Sequence, residues 1–188
     1  MVKLRAGIIG LGVGEQHIVG YDKHPQCEVV ALCDCDERRL ADARRKYPAM
    51  QHYSNAEDLL AEPGIDVVSI ASYDNDHYGQ TREAILAGKH VFVEKPLCLY
   101  PEEAQALRTL LNDHPDVLLS CNLILRKVPR FVELRRLIAD GELGELFHVE
   151  GDYNYGRLHK ITEGWRGQLD FYSVVYGGAV HLIDLLLW

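Results

Sequence analysis

The stretch LRAGIIGLGVG, residues 4–14, decides the fold of this chain. Its apolar half, residues 4–9, predicts a buried strand, and the glycines that follow predict a tight turn before a helix. Glycines carry no Cβ atom, so the N–H groups of such a turn can approach a phosphate closely, and the helix N-terminus adds unpaired N–H groups and a partial positive charge. The stretch therefore predicts a dinucleotide site, whose residues are Gly10, Gly12, Val13 and Gly14.

An acid follows at the spacing that this kind of site requires. Asp34 ends a second apolar strand, residues 28–33, and lies 20 residues after Gly14. A carboxylate there can accept hydrogen bonds from the ribose 2′-hydroxyl group of the adenosine, and it repels a 2′-phosphate. With a second acid, Asp36, close by, we expect NAD rather than NADP. The alternative is a glycine-rich turn that feeds an ordinary helix, since Glu15 occupies the position of the third glycine of the fingerprint.

The composition is typical of a globular protein and excludes several kinds of partner. Of the 188 residues, 47% are hydrophobic and 26% are charged. The net charge of −8, with basic residues scattered along the chain, argues against a nucleic-acid partner. The five cysteines and nine histidines lack metal-ligand spacing, so no metal site is expected, and the cysteines are expected to be free thiols. Without a signal peptide or a long apolar run, we expect a cytoplasmic protein with no membrane contact.

Strands and helices alternate along the first 121 residues. The predicted strands are residues 4–9, 28–33, 67–71, 90–93 and 117–121, and the predicted helices are residues 13–24, 37–47, 56–61, 76–87 and 102–111. Alternation of this kind predicts an α/β fold with a doubly wound parallel sheet, a Rossmann domain over residues 1–121.

The pattern changes from residue 122 onward. A helix is predicted over residues 128–139 and a strand with one wet face over residues 146–155, and the last apolar segment, residues 179–188, ends in mid-helix by its periodicity. We expect residues 122–188 to be the beginning of an α+β second domain, so that the chain is a fragment of a longer protein.

The segment GKHVFVEKPLCLYPEEA, residues 88–104, is the most distinctive part of the chain. A predicted strand leads into Glu94, Lys95 and Pro96, which places a charged pair at the carboxyl end of a parallel sheet, where such folds bind ligands. Pro96 has a fixed φ and restricts Lys95 to extended geometry. Glu94 and Lys95 are therefore candidate cofactor-site residues, although Lys95 by itself could be a solvated lysine at a strand end.

Four segments together resemble the Gfo/Idh/MocA family, which comprises glucose-fructose oxidoreductase, inositol dehydrogenase and rhizopine-catabolism proteins. They are GIIGLGVGEQH at residues 7–17, ALCDCDE at 31–37, GKHVFVEKP at 88–96 and GGAVHLIDLLLW at 177–188. A further segment, IADGELGEL at residues 138–146, is similar to the way in which this family enters its second domain. The resemblance implies a Rossmann domain, a second domain with a large, mostly antiparallel sheet, a homo-oligomer formed through that sheet, and oxidation of a secondary alcohol of a sugar, cyclitol or sugar nucleotide by NAD or NADP.

The resemblance also implies roles for individual residues. Lys95 would hydrogen-bond the reacting hydroxyl group beside the nicotinamide, and His181 would take its proton. The chemistry is consistent, because carbinol oxidation needs a base with a pKa near 7 and a cation that stabilises the developing alkoxide. Ser72 and His77 correspond to positions near the nicotinamide. The substrate candidates are Asp184, which could also orient the ring of His181, and Arg126, Trp165 and Arg166.

Other interpretations of these residues stay open at this stage. His181 could be a core histidine, Asp184 an exposed or capping acid, and His77 a helix-start residue without a ligand. Trp165 could belong to a domain core and Arg166 to the surface.

One departure from the family pattern affects the predicted chemistry. Many members carry an aspartate four residues before the histidine, where this chain has Gly177. Asp184 or another residue could replace it, or the relay could be absent. Alternatively, the chain could be an NAD(P)-binding regulator without catalysis, or an enzyme that reduces a non-sugar such as a tetrapyrrole or an imine. The sequence leaves the substrate, its reacting hydroxyl group, the reaction direction and the oligomeric state open.

Overall fold

A parallel sheet of six strands organises the first part of the chain in the computed structural model, which describes residues 3–188. The strands are β1 (Leu4–Ile9), β2 (Cys27–Cys33), β3 (Gln51–Tyr53), β4 (Val67–Ile70), β5 (His90–Val93) and β6 (Leu119–Cys121). Their spatial order is β3-β2-β1-β4-β5-β6, and every neighbouring pair is parallel. This is the strand order of a Rossmann fold, so the predicted doubly wound sheet is confirmed.

The register of the strands brings their carboxyl ends to one edge of the sheet. Ile9 of β1 lies opposite Cys33 of β2 and Ile70 of β4, and Val93 of β5 lies opposite Ile70 and Cys121. The residues that follow these ends therefore emerge side by side. The strand order reverses between β1 and β4, which is where folds of this class open a ligand crevice.

Five helices accompany the sheet: α1 (Glu15–Asp22), α2 (Glu37–Lys46), α3 (Ala56–Ala61), α4 (His77–Leu86) and α5 (Pro101–Asp113). The side chain of Asn55 accepts a hydrogen bond from the Asp58 N–H group at 2.8 Å and so starts α3, as its residue type predicts. Gly88, with a φ of +71°, follows α4 and ends it. α1 begins two residues later than predicted because Val13 and Gly14 belong to the turn.

Both faces of the sheet are buried. Consecutive residues of a strand point to opposite faces, so Ile8 contributes to a cluster with Ile18 and Leu32, while Ile9 contributes to another with Ile70. The apolar runs of the central strands follow from burial on both sides.

The structure divides the chain into two compact units, Met1–Asn122 and Leu123–Trp188. The second unit holds α6 (Pro129–Ala139), α7 (His159–Thr162) and α8 (Val180–Leu187), with 3₁₀ turns at Ile124–Lys127 and Arg166–Gln168 and a π-helical turn at Val175–Ala179. Within residues 3–188, no helix is long and apolar enough to cross a membrane.

The prediction of a strand over residues 146–155 is wrong. This segment has no regular secondary structure, and Phe147 is 97% exposed. A strand forms only where a neighbouring strand satisfies its backbone N–H and C=O groups, and the described part of the second unit contains no such strand. Alternation of apolar residues alone does not supply that partner.

Candidate functional site

The glycine turn after β1 has the close contacts that exclude larger residues. Gly10 has a φ of +86°, and a Cβ atom there would lie 2.4 Å from the carbonyl oxygen of Ala71. A Cβ atom on Gly14 would lie 2.4 Å from the carbonyl oxygen of Gly10 and 2.9 Å from Cγ2 of Ile8. Gly14 thus allows the close packing of helix on strand that the third glycine of a dinucleotide fingerprint provides.

Glu15, which departs from the fingerprint, is turned away from this contact. Its carboxylate accepts a hydrogen bond from Nζ of Lys46 at 2.8 Å and one from the hydroxyl group of Tyr47 at 3.3 Å. The acid at the start of α1 is therefore bound to α2 and does not fill the turn.

The N-terminus of α1 fits a phosphate group. Its N-cap residue is Gly14, so no side chain caps the helix, and Gly12 and Val13 lie exposed in the turn just before it. An uncapped N-terminus presents N–H groups and the positive end of the helix dipole to an anion. The predicted set Gly10, Gly12, Val13 and Gly14 therefore forms one continuous turn at the carboxyl edge of the sheet.

Asp34 joins the end of β2 to this turn. Its Oδ2 atom accepts a hydrogen bond from the N–H group of Leu11 at 2.7 Å, and its Oδ1 atom accepts one from the N–H group of Asp36 at 2.8 Å. The residue is 4% exposed. A carboxylate oxygen can accept more than one hydrogen bond, so Asp34 can hold the turn in place and still accept from a ribose hydroxyl group.

Arg39 of α2 was overlooked in the sequence and lies beside this acid. Its guanidinium group is 3.8 Å from Oδ2 of Asp34 and half-exposed, and the same group lies 3.2 Å from the position that a Cβ atom on Gly12 would take. A cation is thus present at the predicted ribose position, where it could pair with a phosphate. Arg39 lies on α2, whereas Asp34 precedes that helix, so helical spacing does not indicate this contact.

Residues 94–96, here called the lysine segment, follow β5 at the same edge. The Glu94 Oε1 atom accepts hydrogen bonds from Nδ2 of Asn122 at 2.6 Å and from Nε2 of His17 at 3.2 Å. Burial alone would raise the pKa of the Glu94 carboxyl group, but the hydrogen bonds of His17 and Asn122 outweigh it, and the pKa lies below its usual range. Lys95 is half-buried, and the Lys95–Pro96 peptide bond is cis.

His17 was missed as a functional residue. It is the third residue of α1, and its Nδ1 atom lies 2.8 Å from Oγ of Ser69, a fully buried residue of β4. The only signal in the sequence is its place one turn after Gly14, on the helix that covers β1 and its neighbours.

His77 and Ser72 lie after β4 and contact protein groups. The Nδ1 atom of His77 is 2.7 Å from the carbonyl oxygen of Pro96, and the residue is 1% exposed. The hydroxyl group of Ser72 donates to Oε1 of Gln80 at 2.7 Å. Both residues follow the carboxyl end of β4, and the contact of His77 is with the lysine segment.

In the second unit, Arg126 and Asp184 form a two-pronged ion pair. The Nε atom of Arg126 donates to Oδ2 of Asp184 at 2.8 Å, and its Nη2 atom donates to Oδ1 at 2.5 Å. Asp184 is 8% exposed, whereas the side chain of Arg126 is 41% exposed, so the carboxylate is buried and the guanidinium group is partly open to water. The guanidinium group of Arg126 also lies 5.8 Å from the ring centre of Trp188. Two of the predicted substrate residues are therefore bound to each other.

The second unit also explains the glycine at position 177. A Cβ atom on Gly177 would lie 2.6 Å from the hydroxyl oxygen of Tyr172, so this hydroxyl group occupies the space that a side chain would need. Tyr172, which the sequence analysis did not single out, accepts a hydrogen bond from Nε of Arg166 at 3.0 Å. The guanidinium group of Arg166 in turn lies 4.2 Å from the ring centre of Trp165. The predicted base, His181, is a separate feature of this unit: it is half-buried and lies near the start of α8.

Comparison with known proteins identifies both units. Residues 4–122 match the model described as "Oxidoreductase family, NAD-binding Rossmann fold", and residues 131–188 match the GFO/IDH/MocA C-terminal domain. The chain is 31% identical to the uncharacterized oxidoreductase sll0816 of Synechocystis and 27% identical to the scyllo-inositol 2-dehydrogenase (NADP(+)) IolW of Bacillus subtilis, in each case over 98% of this chain and 51% of the relative. The crystal structure of myo-inositol 2-dehydrogenase from Lactobacillus plantarum is similar with a TM-score of 0.86 and 25% identity, over 99% of this chain and 56% of that one. The chain thus spans about half the length of the curated relatives it matches.

Proposed function

The chain belongs to the GFO/IDH/MocA oxidoreductase family, and from that premise we propose that the whole protein is an NAD-dependent dehydrogenase that oxidises a secondary alcohol of a sugar, cyclitol or sugar nucleotide. The observation that carries this proposal is the arrangement at the carboxyl edge of the sheet. The glycine turn, Asp34 and the lysine segment follow β1, β2 and β5, which end in register there. Relatives named as inositol dehydrogenases support a polyol as the substrate class.

The residues of the first unit fit a dinucleotide. The turn at Gly10, Gly12 and Gly14, with the uncapped start of α1, would hold the pyrophosphate, and Asp34 would accept from the adenosine ribose. When bound there, a nicotinamide would supply the hydride acceptor that oxidation of a carbinol requires.

Two side chains are proposed to act on the hydroxyl group of the substrate. The ammonium group of Lys95 donates a hydrogen bond to the hydroxyl oxygen and stabilises the negative charge that develops there. His181 accepts the hydroxyl proton, so that the carbonyl group forms as the hydride leaves. The proton thus goes to the imidazole group of His181, and the electron pair of the C–H bond would leave with the hydride.

We propose NAD as the preferred cofactor because the carboxylate of Asp34 repels a 2′-phosphate. Arg39 supports a measurable affinity for NADP as well, since its half-exposed guanidinium group lies beside that carboxylate. The choice between the two cofactors therefore depends on the balance between these two side chains.

A panel of cyclitols and nucleotide sugars, followed by NADH absorbance with the whole protein, tests the proposal. We expect Lys95→Ala to lower kcat at least about 100-fold with little change in the dissociation constant of NAD, because the lysine acts on the substrate oxygen. Lys23→Ala, at an exposed lysine after α1, is the matched control. We expect His181→Ala to lower kcat about 100-fold or more as well. An unaltered rate in both Lys95→Ala and His181→Ala would contradict the mechanism, and NAD binding without turnover of any substrate would favour a regulator.

A further inference from the structure

Histidines from two helices hold the lysine segment from two sides. His17 of α1 contacts the carboxylate of Glu94, with 3.2 Å between Nε2 and Oε1. His77 of α4 contacts the carbonyl oxygen of Pro96, with 2.7 Å between the two atoms. Lys95 lies between these two anchored residues. Because α1 follows β1 and α4 follows β4, the two contacts tie the helices on both sides of the crevice to the segment that carries the lysine.

The partners fix the protonation pattern of both rings. A carboxylate and a carbonyl oxygen only accept hydrogen bonds, so Nε2 of His17 and Nδ1 of His77 each carry the hydrogen. In neutral His17 the Nδ1 atom then accepts from the hydroxyl group of Ser69. The side chain of His17 is 12% exposed, and Ser69 and His77 are almost completely buried. Water therefore competes little for these contacts, and each ring is held in one orientation.

We propose that His17 and His77 are positioning residues for Lys95. They do not act on the substrate; they fix the backbone on either side of the lysine relative to α1 and α4. This inference rests on the proposed function, in which the N-terminus of α1 holds the cofactor phosphates and Lys95 acts at the nicotinamide end. His17 is the third residue of α1, so the helix that would seat the phosphates also anchors the lysine segment.

The need for such anchors follows from the nature of lysine. Its ammonium group sits on a flexible four-carbon stem, so its reach is defined only if the backbone is defined. A misplacement of about 1 Å can cost a reaction about 100-fold. The N–H group of Lys95 lies 3.3 Å from Oε2 of Glu94, so the carboxylate that His17 holds also contacts the lysine backbone. Asn122 still holds Glu94 when His17 is removed, and we therefore expect a partial loss.

Hydrogen exchange of the Lys95 amide in the 188-residue chain tests the anchor without any cofactor. We expect exchange to be about tenfold faster in His17→Ala, because the carboxylate of Glu94 loses one of its donors. His17→Gln keeps an N–H donor within reach of Glu94 and should restore most of the protection. Gln16→Ala, at the exposed neighbour on α1, should leave the rate unchanged. An unchanged rate in His17→Ala, or an equal change in Gln16→Ala, would overturn the role of His17.

Kinetics of the whole protein test the consequence for catalysis. We expect kcat to fall about 10- to 100-fold in His17→Ala and His77→Ala, while the dissociation constant of NAD changes less than about threefold. His77→Asn retains a donor that can reach the Pro96 carbonyl oxygen and should recover most of kcat, which loss of packing alone does not predict. Equal losses in His77→Asn and His77→Ala would overturn the role of His77. If the wild-type protein failed to bind NAD, the proposed function would fail, and hydrogen exchange would still decide whether the histidines hold the segment.

Discussion

The carboxylate of Asp34 accepts a hydrogen bond from the backbone N–H group of Leu11 at 2.7 Å, so the acid that ends β2 fixes the glycine turn that ends β1. The same carboxylate receives the N–H group of Asp36. An acid at this position is usually considered for its contact with ribose. Here it also holds the glycine turn in shape through contacts within the protein.

Replacement of Asp34 by asparagine should therefore affect stability as well as cofactor binding. The amide oxygen of asparagine can accept one of the two hydrogen bonds that the carboxylate accepts. The NH₂ group only donates, so the backbone N–H group that faces it loses its acceptor. We expect the free energy of unfolding in urea to fall by about 1–3 kcal/mol, the usual cost of leaving a buried hydrogen-bond donor without an acceptor. The affinity for NAD should fall at least about tenfold. Asp42→Asn, at an exposed acid on α2, is the control and should change neither quantity by much.

Arg39 should determine how tightly the protein binds NADP relative to NAD. Its guanidinium group, half-exposed and 3.8 Å from Asp34, is the cation available to a 2′-phosphate. We expect Arg39→Ala to weaken NADP binding about tenfold relative to NAD, and Asp34→Ser to shift the preference toward NADP. Isothermal titration with both cofactors measures the two ratios. A parallel change in both affinities on loss of Arg39 would show that the arginine does not recognise the phosphate.

Replacement by alanine at Gly14 and at Gly20 should change the free energy of unfolding in opposite directions. A Cβ atom on Gly14 would lie 2.4 Å from the Gly10 carbonyl oxygen, so the helix or the turn must move. We expect Gly14→Ala to cost about 1–3 kcal/mol of unfolding free energy. Nothing lies within 4 Å of a Cβ atom on Gly20, in the exposed part of α1, so Gly20→Ala should stabilise by about 0.5–1 kcal/mol. Destabilisation by both changes would contradict the packing argument.

The two cysteines around Asp34 should differ sharply in reactivity. Burial, followed by the charge of Asp34, raises the pKa of Cys33 to about 12, and the residue is 2% exposed. At pH 8 its thiol is almost entirely protonated, whereas alkylation requires a thiolate. Cys35 is exposed. Iodoacetamide followed by peptide mass spectrometry should label Cys35 while Cys33 stays unmodified until the chain is unfolded. Labelling of Cys33 at the rate of Cys35 would mean that β2 opens readily.

The main elements of the fold and the glycine turn could be predicted because their signals are local. Residues 4–9 and 90–93 were predicted as strands with the bounds that the structure gives, since buried parallel strands are short apolar runs. β3 was missed because its three residues, Gln51–Tyr53, are too few for a periodic pattern. The strand expected over residues 146–155 failed because alternation indicates one buried face but does not supply a partner strand.

The contacts of the candidate site could be predicted only in part. The residues after the strand ends were found, because the topology of a parallel sheet places them together. Three residues were missed because their contacts depend on how separate elements pack together, which the sequence does not specify: His17, Arg39 and Tyr172. The space at Gly177 illustrates this: its neighbour, the Tyr172 hydroxyl group, is known only once the π-helical turn is placed.

The stabilisation that Glu94 gives to the fold should decrease as the pH falls into the acid range. Its pKa is lower in the folded chain than the unfolded value of about 4.3, because the hydrogen bonds of His17 and Asn122 outweigh burial. A group of this kind stabilises the fold fully above its unfolded pKa, and the contribution is lost as the pH falls through the folded pKa. We therefore expect wild type to be more stable than Glu94→Gln above about pH 5, and the difference to shrink below about pH 4.3. Urea unfolding from pH 3 to 7 measures it, with Glu145→Gln, at an exposed acid of the second unit, as the control. If the difference in unfolding free energy between wild type and Glu94→Gln stays constant across this range, the folded chain does not stabilise the carboxylate form.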